Sequence, residues 1–397
     1  MQIGLLGKTN VGKSTFFSAA TETIAQIGNY PFTTIEPNVG IAYVKAECAC
    51  KHYGILHKHP LCVNGTRFIP VKLIDVAGLV PGAHEGKGLG NKFLDDARQA
   101  EVLIHIVDIS GSTDIQGHPV PAGTHDPLED VKFVEEEFDL WMKQILAREW
   151  QKLAREMESK GAKLVQGIAQ RFSGLGITEY DVEIVAQHLN LLTKKPTDWK
   201  ESDLSLFVKE LRKRIRPMLI VANKADLCHD LSILDKIKKE RATIACSAET
   251  ELLLRKASKN GLIDYSPGEK DFKIKDGVTL NAPQQKALDL VKGVLSKIGT
   301  TGVQDALNQA CFELLKLIVV YPVEDETKLS NKDGEVLPDA RLLPPDSTAK
   351  DLATTIHADL AKGFVHAIDV KTKQRVGSHH QLKNGDVIKI VSTLSRG

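Results

Sequence analysis

The start of the chain constrains its fold more than any later segment does. An apolar run that ends at Leu6 leads directly into Gly7, Gly12, Lys13 and Ser14, which have the spacing G-x-x-x-x-G-K-S. A strand that enters such a loop and a helix that leaves it form a phosphate-binding loop. The sequence therefore predicts an α/β domain that binds a nucleoside triphosphate after its first strand.

The residue types in this loop match what a triphosphate requires. The glycines let backbone N–H groups turn inward around an anion, Lys13 adds positive charge at the β- and γ-phosphates, and the Ser14 hydroxyl is a ligand for Mg²⁺. Lys13 is therefore also a candidate catalytic residue. The predicted nucleotide contacts in this segment are Gly7, Asn10, Val11, Gly12, Lys13, Ser14 and Thr15.

A second motif selects the base. Asn223, Lys224 and Asp226 form N-K-x-D at the end of an apolar run, and a later strand-like run ends in Ser247 and Ala248. The Asp226 carboxylate can accept hydrogen bonds from the ring N–H and the exocyclic amine of guanine, and adenine offers neither donor there. Asn223 would brace the loop and the base, and the Lys224 stem would cover the ring face. A backbone N–H of Ser247 or Ala248 would meet the guanine carbonyl. These residues predict GTP.

Two further segments would contact the γ-phosphate. Asp75 begins a D-x-x-G motif, in which Asp75 would hold Mg²⁺ through a water and the Gly78 N–H would reach the γ-phosphate. Upstream, Thr34 is predicted to close over the metal, and Thr33 is the alternative. Both loops are expected to be ordered by the γ-phosphate and released on hydrolysis.

Three segments resemble the Obg branch of translation-associated GTPases. They are residues 29–40 (NYPFTTIEPNVG), 75–82 (DVAGLVPG) and 85–94 (EGKGLGNKFL). More narrowly, the chain resembles the YchF subfamily, and this resemblance implies a GTP-hydrolysing switch associated with the ribosome, with ribosomal RNA as a partner. Members of that subfamily often alter N-K-x-D and then prefer ATP, whereas the intact motif here favours GTP. A YchF-type ATPase, and an RNA-binding scaffold with nucleotide as a structural ligand, remain alternatives.

The catalytic groups are less clear from the sequence. In small GTPases a glutamine follows D-x-x-G and orients the attacking water, but Leu79 stands here, so we expect slow intrinsic hydrolysis. His84 and His105 are secondary catalytic candidates, with a solvated loop histidine and a satisfied core histidine as the respective alternatives. Asn10 resembles the asparagine that ligates an activating K⁺ in related GTPases, and a hydrogen bond within the loop is the alternative.

The length of 397 residues predicts two or three domains. Lys and Arg number 52 against 51 Asp and Glu, so a net charge of +1 gives no whole-molecule field that attracts nucleic acid. Because Met1 leads straight into the predicted first strand, we expect no signal peptide, and no apolar run is long enough to span a bilayer. We expect a cytoplasmic monomer.

The spacing of the motifs indicates an inserted domain. Residues 76–222 separate D-x-x-G from N-K-x-D, and two crossover units would need only about 30 residues each. Apolar stripes in this region predict an inserted helical or coiled-coil domain over 126–205, with Val131, Val134, Phe138, Trp141 and Ile145 on the first arm. The Ras-like P-loop GTPase domain would occupy 1–125 and 206–316 with additional helices. A C-terminal TGS domain of β-grasp (ubiquitin-like) fold, implied by resemblance, would occupy 317–397.

Two surface features leave alternatives open. One hairpin is rich in sulfur and imidazole, and it could hold zinc or be a variable surface hairpin, because its spacing is not that of a standard knuckle. Its residues are Cys48, Cys50, His52, His57, His59 and Cys62. The basic stretch 209–216 could contact ribosomal RNA phosphates or could be a solvated helix face.

Overall fold

The computed structural model describes residues 1–22, 24, 38–76, 82, 98–160, 163–228 and 230–394, and every structural statement concerns these residues. Their centre is a sheet of seven strands in the order β2-β4-β1-β5-β6-β7, with β3 beside β4. The strands are β1 Gln2–Leu6, β2 Val39–Glu47, β3 Cys62–Val63, β4 Thr66–Asp75, β5 Val102–Asp108, β6 Met218–Asn223 and β7 Thr243–Ala245.

The order of the strands brings the predicted motifs to one edge of the sheet. β1 is parallel to β4 and β5, and β5, β6 and β7 are parallel in turn, whereas β2 runs antiparallel to β4. The register pairs Leu5 with Asp75 and Asp108 with Asn223. Because the carboxyl ends of parallel strands meet at one edge, the phosphate loop, D-x-x-G and N-K-x-D begin side by side.

The central strands are buried on both faces, which explains why they read as continuous apolar runs. Helix α1, Lys13–Thr21, packs on one face through Phe16, Ala19 and Ala20. A short helix α2, Cys50–Tyr53, lies in the hairpin between β2 and β4.

A bundle of five helices fills the interval between β5 and β6. They are α3 Pro127–Ala147, α4 Trp150–Lys160, α5 Leu164–Arg171, α6 Glu179–His188 and α7 Glu201–Ile215. Asp126 caps α3 by accepting from the Leu128 N–H, and Pro127 occupies the first helical position, where its missing N–H costs nothing. The sequence thus marks the start of the insertion at 126.

The helices of the insertion share one hydrophobic core. Its centre is aromatic, with ring centroids 5.2 Å apart for Trp150 and Trp199 and 5.6 Å apart for Trp199 and Phe207. Two members of the predicted stripe, Trp141 and Ile145, are only partly buried, and the core continues through Met142 and Leu146. The predicted boundary at 205 falls inside α7, which continues to Ile215 because Phe207, Val208 and Leu211 pack into this same core.

Further elements follow N-K-x-D and complete the first domain. They are α8 Ser232–Lys238, α9 Ala248–Lys259, β8 Ile263–Asp264, β9 Lys273–Ile274, α10 Ala282–Ile298, α11 Val303–Asn308 and a π-helical segment Gln309–Leu314. Glu251 of α9 is fully buried and accepts hydrogen bonds from Arg255 and Tyr265 at 2.6 Å each. Arg255 in turn donates to the Ala20 carbonyl at the end of α1, so α9 is tied to the helix of the phosphate loop.

The C-terminal residues form a separate mixed sheet in the order β11-β10-β14-β12-β13. Its elements are β10 Ile318–Val323, β11 Arg341–Leu343, α12 Ala349–Ile356, α13 Ala358–Lys362, β12 Phe364–Asp369, β13 Gln374–Val376 and β14 Val387–Ser392. β10 and β14 are parallel and the other pairs antiparallel, and Leu352 of α12 packs on Val320 and Ile388. One helix packed across a mixed sheet is the β-grasp arrangement.

The C-terminal domain docks beside β2 and β4 of the first sheet. The Tyr321 hydroxyl donates to the Glu47 carbonyl at 3.0 Å, and the buried Arg67 guanidinium donates to the Leu337 carbonyl at 3.0 Å. Within the described ranges, none of the helices has the length and apolar character that crossing a bilayer demands.

Phe138 tests the core of the insertion, because its side chain is 1% exposed among the helices. We expect Phe138→Ala to lower the free energy of unfolding by about 3–5 kcal/mol, through lost burial and the cavity left behind. Leu140→Ala is the matched control, since Leu140 lies on the same helix and is 39% exposed. Urea unfolding followed by circular dichroism would measure both, and equal losses would contradict the assignment of the core face.

Candidate functional site

The loop after β1 has the shape that glycine alone permits at two positions. Gly7 has φ +149°, and a Cβ there would lie 2.5 Å from the Ile106 carbonyl oxygen. Gly12 has φ +93°, and a Cβ there would collide with the side-chain amide of Asn223. Both glycines are therefore required for the loop to approach β5 and the N-K-x-D motif so closely.

Helix α1 directs its free N–H groups into this loop. Its first backbone hydrogen bond joins the Phe16 N–H to the Gly12 carbonyl, so Lys13, Ser14 and Thr15 supply first-turn donors that have no partner within the helix. Such donors, together with the helix dipole, form an anion site. Val11 is buried in the core beneath the loop and holds it in place.

The predicted metal-binding groups lie at the mouth of the loop. The Lys13 Nζ is 3.5 Å from Asp75 Oδ1, so the ammonium and the carboxylate form an ion pair. Asp75 Oδ1 is buried without a hydrogen-bond partner among the described residues, and Ser14 is exposed. A hydroxyl and a carboxylate oxygen are the kind of donors that Mg²⁺ prefers.

Asn223 joins the phosphate loop to the base-reading segments. Its side-chain amide donates to the Val11 carbonyl at 2.9 Å, and its Oδ1 accepts from the Ala248 N–H at 3.0 Å. The residue is 3% exposed, so both bonds are shielded from water. One side chain thereby links three predicted nucleotide-binding segments.

Lys224 is held by a carboxylate that the sequence analysis did not select. Lys224 has φ +60°, and its Nζ lies 2.8 Å from Oδ2 of the fully buried Asp108. Burial opposes ionisation of Asp108, but hydrogen bonds from Lys224 and from Ser110 and Ser112 outweigh it, and the pKa of Asp108 lies below its usual value. A carboxylate at the end of β5, followed by hydroxyl residues, is the signal that could have identified it.

The two segments predicted to read guanine lie at the same edge. Asp226 is partly exposed, and no described residue engages its carboxylate in a hydrogen bond or an ion pair, so it can accept from a base. The Ser247 N–H, however, donates to the Thr301 carbonyl at 2.9 Å, and the Ala248 N–H donates to Asn223. A guanine carbonyl would compete with the Asn223 oxygen for Ala248, or would use the next N–H of α9, at Glu249.

The phosphate loop is also braced by the helical insertion, which the sequence analysis did not anticipate. Lys8, 2% exposed, places its Nζ 2.7 Å from Oδ2 of Asp130 on α3 and donates to the Thr113 carbonyl at 2.9 Å. The His125 Nε2 lies 2.8 Å from the other Asp130 oxygen. A buried cation needs such partners, and no sequence spacing indicates a pair 122 residues apart.

Asn10 and Thr9 attach the loop to the segment after β5. The Asn10 amide donates to the Gly117 carbonyl at 2.9 Å, and the Thr9 hydroxyl donates to the Gln116 carbonyl at 3.0 Å. The side chain of Asn10 thus makes a hydrogen bond, as one of its two predicted roles requires, but the acceptor lies outside the loop. The K⁺ role stays a prediction.

His105 lies in β5, where it pairs with Leu6 at the end of β1, directly before the phosphate loop. It is 1% exposed, and both ring nitrogens are buried without hydrogen-bond partners among the described residues. Ile104 and Ile106 belong to the core that includes α1, whereas the charges that act on His105 are those of Glu135, Arg241 and Lys8. Burial lowers the pKa of His105 to about 3, so the ring is neutral, and its catalytic role stays a prediction.

The remaining predicted residues lie outside the described ranges. Thr34, its alternative Thr33, Gly78 and His84 fall in the intervals 25–37, 77–81 and 83–97. Their roles at the γ-phosphate and the metal stay predictions. Gly82, between two of these intervals, is described, and its N–H donates to Glu137 Oε1 of α3 at 2.8 Å.

Three family models match the chain. A model of the Obg-like GTPase YGR210-like, G4 motif-containing domain matches residues 221–325, a 50S ribosome-binding GTPase model matches residues 2–144, and a TGS domain model matches residues 332–392. The matched regions contain N-K-x-D, the phosphate loop and four of the five strands of the C-terminal sheet, β11 to β14, respectively.

Similar proteins cover nearly the whole chain. A GTP-binding protein of Methanocaldococcus jannaschii is 49% identical over 98% of both chains, and one of Schizosaccharomyces pombe is 37% identical over 91% of both. The crystal structure of a GTP-binding protein from Pyrococcus horikoshii has a TM-score of 0.76 and 40% identity and covers 99% of this chain and 100% of its own. A ribosome-binding ATPase, YchF, of Buchnera aphidicola is 25% identical over 97% of both chains.

The buried His105 predicts a pH dependence of stability. Its pKa of about 3 lies below the value of about 6.5 in an unfolded chain, so the unfolded state binds a proton first as the pH falls. The stability contributed by the neutral ring is therefore present above about pH 6.5 and is lost as the pH falls toward 3. His105→Leu should remove up to about 1.4 kcal/mol per pH unit from the acid-side slope.

Urea unfolding at a series of pH values would measure this slope, and His52→Gln is the control because His52 is exposed. An unchanged slope in His105→Leu would contradict the structural assignment. Lost nucleotide hydrolysis in a stably folded His105→Leu protein would support the catalytic prediction.

Proposed function

The chain belongs to the YchF/Obg-like family of GTP-binding proteins, and on this basis we propose that its nucleotide state controls how it engages the ribosome. As a P-loop GTPase it binds GTP and hydrolyses it to GDP and phosphate. The proposal rests on the position of Asn223, whose side chain connects the phosphate loop to the base-reading segments. The Asp226 carboxylate remains available to a base, because no described residue engages it.

Within this site we assign the residues by their geometry. Lys13 and the first-turn N–H groups of α1 bind the β- and γ-phosphates, and Asp226 binds the guanine edge. Ser14 and Asp75, with Thr34, would hold Mg²⁺, whose charge would offset that of the phosphates. The Gly78 N–H would contact the γ-phosphate.

Hydrolysis by the isolated protein should be slow. Leu79 occupies the position of the water-orienting glutamine and has neither donor nor acceptor. K⁺ bound at Asn10 would compensate in part for the missing glutamine. The side-chain carbonyl oxygen of Asn10 would be the ligand, because its amide nitrogen donates to the Gly117 carbonyl.

The link between nucleotide and partner would run through helix α3. Gly82, close after D-x-x-G, is bonded to Glu137, and Lys8 in the phosphate loop is paired with Asp130 on the same helix. When the loop after D-x-x-G releases the γ-phosphate, its movement would therefore displace α3, which contributes to the core of the insertion. This gives the two nucleotide states the different contacts that a switch requires.

The ribosome enters the proposal through the family model for ribosome-binding GTPases and the name of the Buchnera relative. The basic stretch 209–216 gives it little support, because several of its cations are paired internally: Arg212 with Asp139, Lys213 with Glu210 and Arg214 with Asp181. We propose a cytoplasmic location and a monomer that contacts ribosomal RNA elsewhere.

Base selection separates a GTPase from a YchF-type ATPase. We expect calorimetry to show GTP and GDP bound far more tightly than ATP. Asp226→Asn should weaken GTP binding on the order of 100-fold or more, because the two buried donors of guanine lose the carboxylate that accepts them both. The same variant should gain affinity for xanthosine triphosphate, whose 2-carbonyl can accept from the new amide. Asp230→Asn is the control, because Asp230 is exposed and its carboxylate bonds, among the described residues, to Ser232. Wild-type protein that binds ATP as tightly as GTP would support the ATPase instead.

Co-sedimentation with ribosomes would separate a switch from a scaffold. The form bound to a non-hydrolysable GTP analogue should pellet with ribosomes more than the GDP form, and ribosomes should accelerate GTP turnover. Lys13→Ala, which removes the phosphate-binding cation, should show no dependence on nucleotide. Equal association of all nucleotide forms of the wild-type protein would favour the scaffold.

A further inference from the structure

A second cluster of reactive side chains lies away from the nucleotide site, in the hairpin between β2 and β4. The sulfurs of Cys48, Cys50 and Cys62 and one ring nitrogen of His57 all lie within 4.8 Å of one another. The Cys48 Sγ is 3.6 Å from His57 Nε2, and the Cys50 Sγ is 3.9 Å from the Cys62 Sγ. Four residues thus each offer one donor atom to a common centre.

These separations fit a single tetrahedral ion. Zinc bonds of about 2.0–2.3 Å to nitrogen and sulfur place neighbouring ligand atoms about 3.3–3.8 Å apart. The Cys48–His57 and Cys50–Cys62 distances are already at or near this spacing. We propose that Cys48, Cys50, His57 and Cys62 bind one structural Zn²⁺.

The fold holds the three cysteines at different elements. Cys48 directly follows β2, and its N–H donates to the Gly65 carbonyl across the hairpin at 2.9 Å. Cys50 begins helix α2, and Cys62 lies in β3, paired with Arg67 of β4. Because these elements are fixed independently, their donor atoms do not converge through flexibility of one loop.

The other two histidines of the hairpin are excluded as ligands. His52 has a side chain that is 69% exposed and lies beside Glu47. His59 uses both ring nitrogens, since Nε2 lies 3.0 Å from the Pro338 carbonyl and Nδ1 accepts from the Leu61 N–H at 3.1 Å. Of the six candidate ligands in the sequence, four remain.

The donor set and the hairpin both favour a structural zinc ion. Three thiolates and one imidazole select Zn²⁺ over Mg²⁺ or Ca²⁺, which require oxygen, and Fe–S clusters usually take four cysteines. Between β2 and β3 the chain forms only one helical turn, and none of residues 51–60, which include His57, is buried, so this segment has no core of its own. Short segments without a core are commonly stabilised by a metal or a disulfide.

The same hairpin supports the contact with the C-terminal domain. His59 faces the Pro338 carbonyl, and Arg67, the strand partner of Cys62, donates to the Leu337 carbonyl. A zinc ion would therefore stabilise the surface on which the TGS domain docks. This role would be separate from nucleotide binding.

Metal analysis of the full-length protein, purified under reducing conditions, would test the site. We expect about one zinc ion per chain, and none in Cys62→Ser or His57→Gln. The matched controls Cys228→Ser and His52→Gln should retain zinc, because neither residue belongs to the cluster. Cobalt added to the metal-free protein should give the absorption of tetrahedral thiolate coordination. Chelation should lower the melting temperature, while GTP binding serves as a check that the variants are folded.

Four outcomes would overturn the proposal. They are wild-type protein that takes up neither zinc nor cobalt, zinc retained in folded Cys62→Ser, zinc lost from the controls, or a Cys50–Cys62 disulfide found by mass spectrometry in freshly isolated protein. A disulfide would require the two sulfurs to close from 3.9 Å to about 2.05 Å and would remove two of the four proposed ligands.

Discussion

Two hydrogen bonds made by one buried side chain organise the nucleotide site. Asn223 donates to the Val11 carbonyl and accepts from the Ala248 N–H, so the segments that would bind phosphate, ring and base edge cannot move independently. Removing either bond would leave a buried backbone group unpaired, which is costly in a site shielded from water. Gly12 depends on the same contact, because any side chain there would collide with the Asn223 amide.

A second set of contacts ties this site to the helical insertion. Lys8 is buried against Asp130, and Gly82 is bonded to Glu137. Both acidic residues lie on α3, whose apolar side chains contribute to the core of the insertion. The insertion is therefore part of the scaffold of the phosphate loop, and a movement of the loop would shift the helices of the insertion.

The hairpin of β2 and β4 has the corresponding role toward the C-terminal domain. Its strands pair over nine residues with an unbroken register, and its tip carries the cysteine cluster and the contacts to residues 337 and 338. The first domain thus contacts its two appended domains through different surfaces. α3 serves the insertion, and the hairpin serves the β-grasp domain.

The sequence by itself determined whatever depends on local spacing. The phosphate loop, N-K-x-D and the helical character of the insertion could be predicted because each is encoded by neighbouring residues whose backbone geometry and periodicity are readable, whereas the β-grasp domain was implied by the resemblance to a known family. The tertiary structure alone decided the partners of Lys8 and Lys224, the burial of both His105 ring nitrogens without hydrogen bonds to described residues, and the internal pairing of the basic stretch. It also reduced six candidate metal ligands to four. The physical reason is that charge pairing and ligand convergence depend on which distant segments pack together, and packing over more than a hundred residues leaves no periodic trace in the sequence.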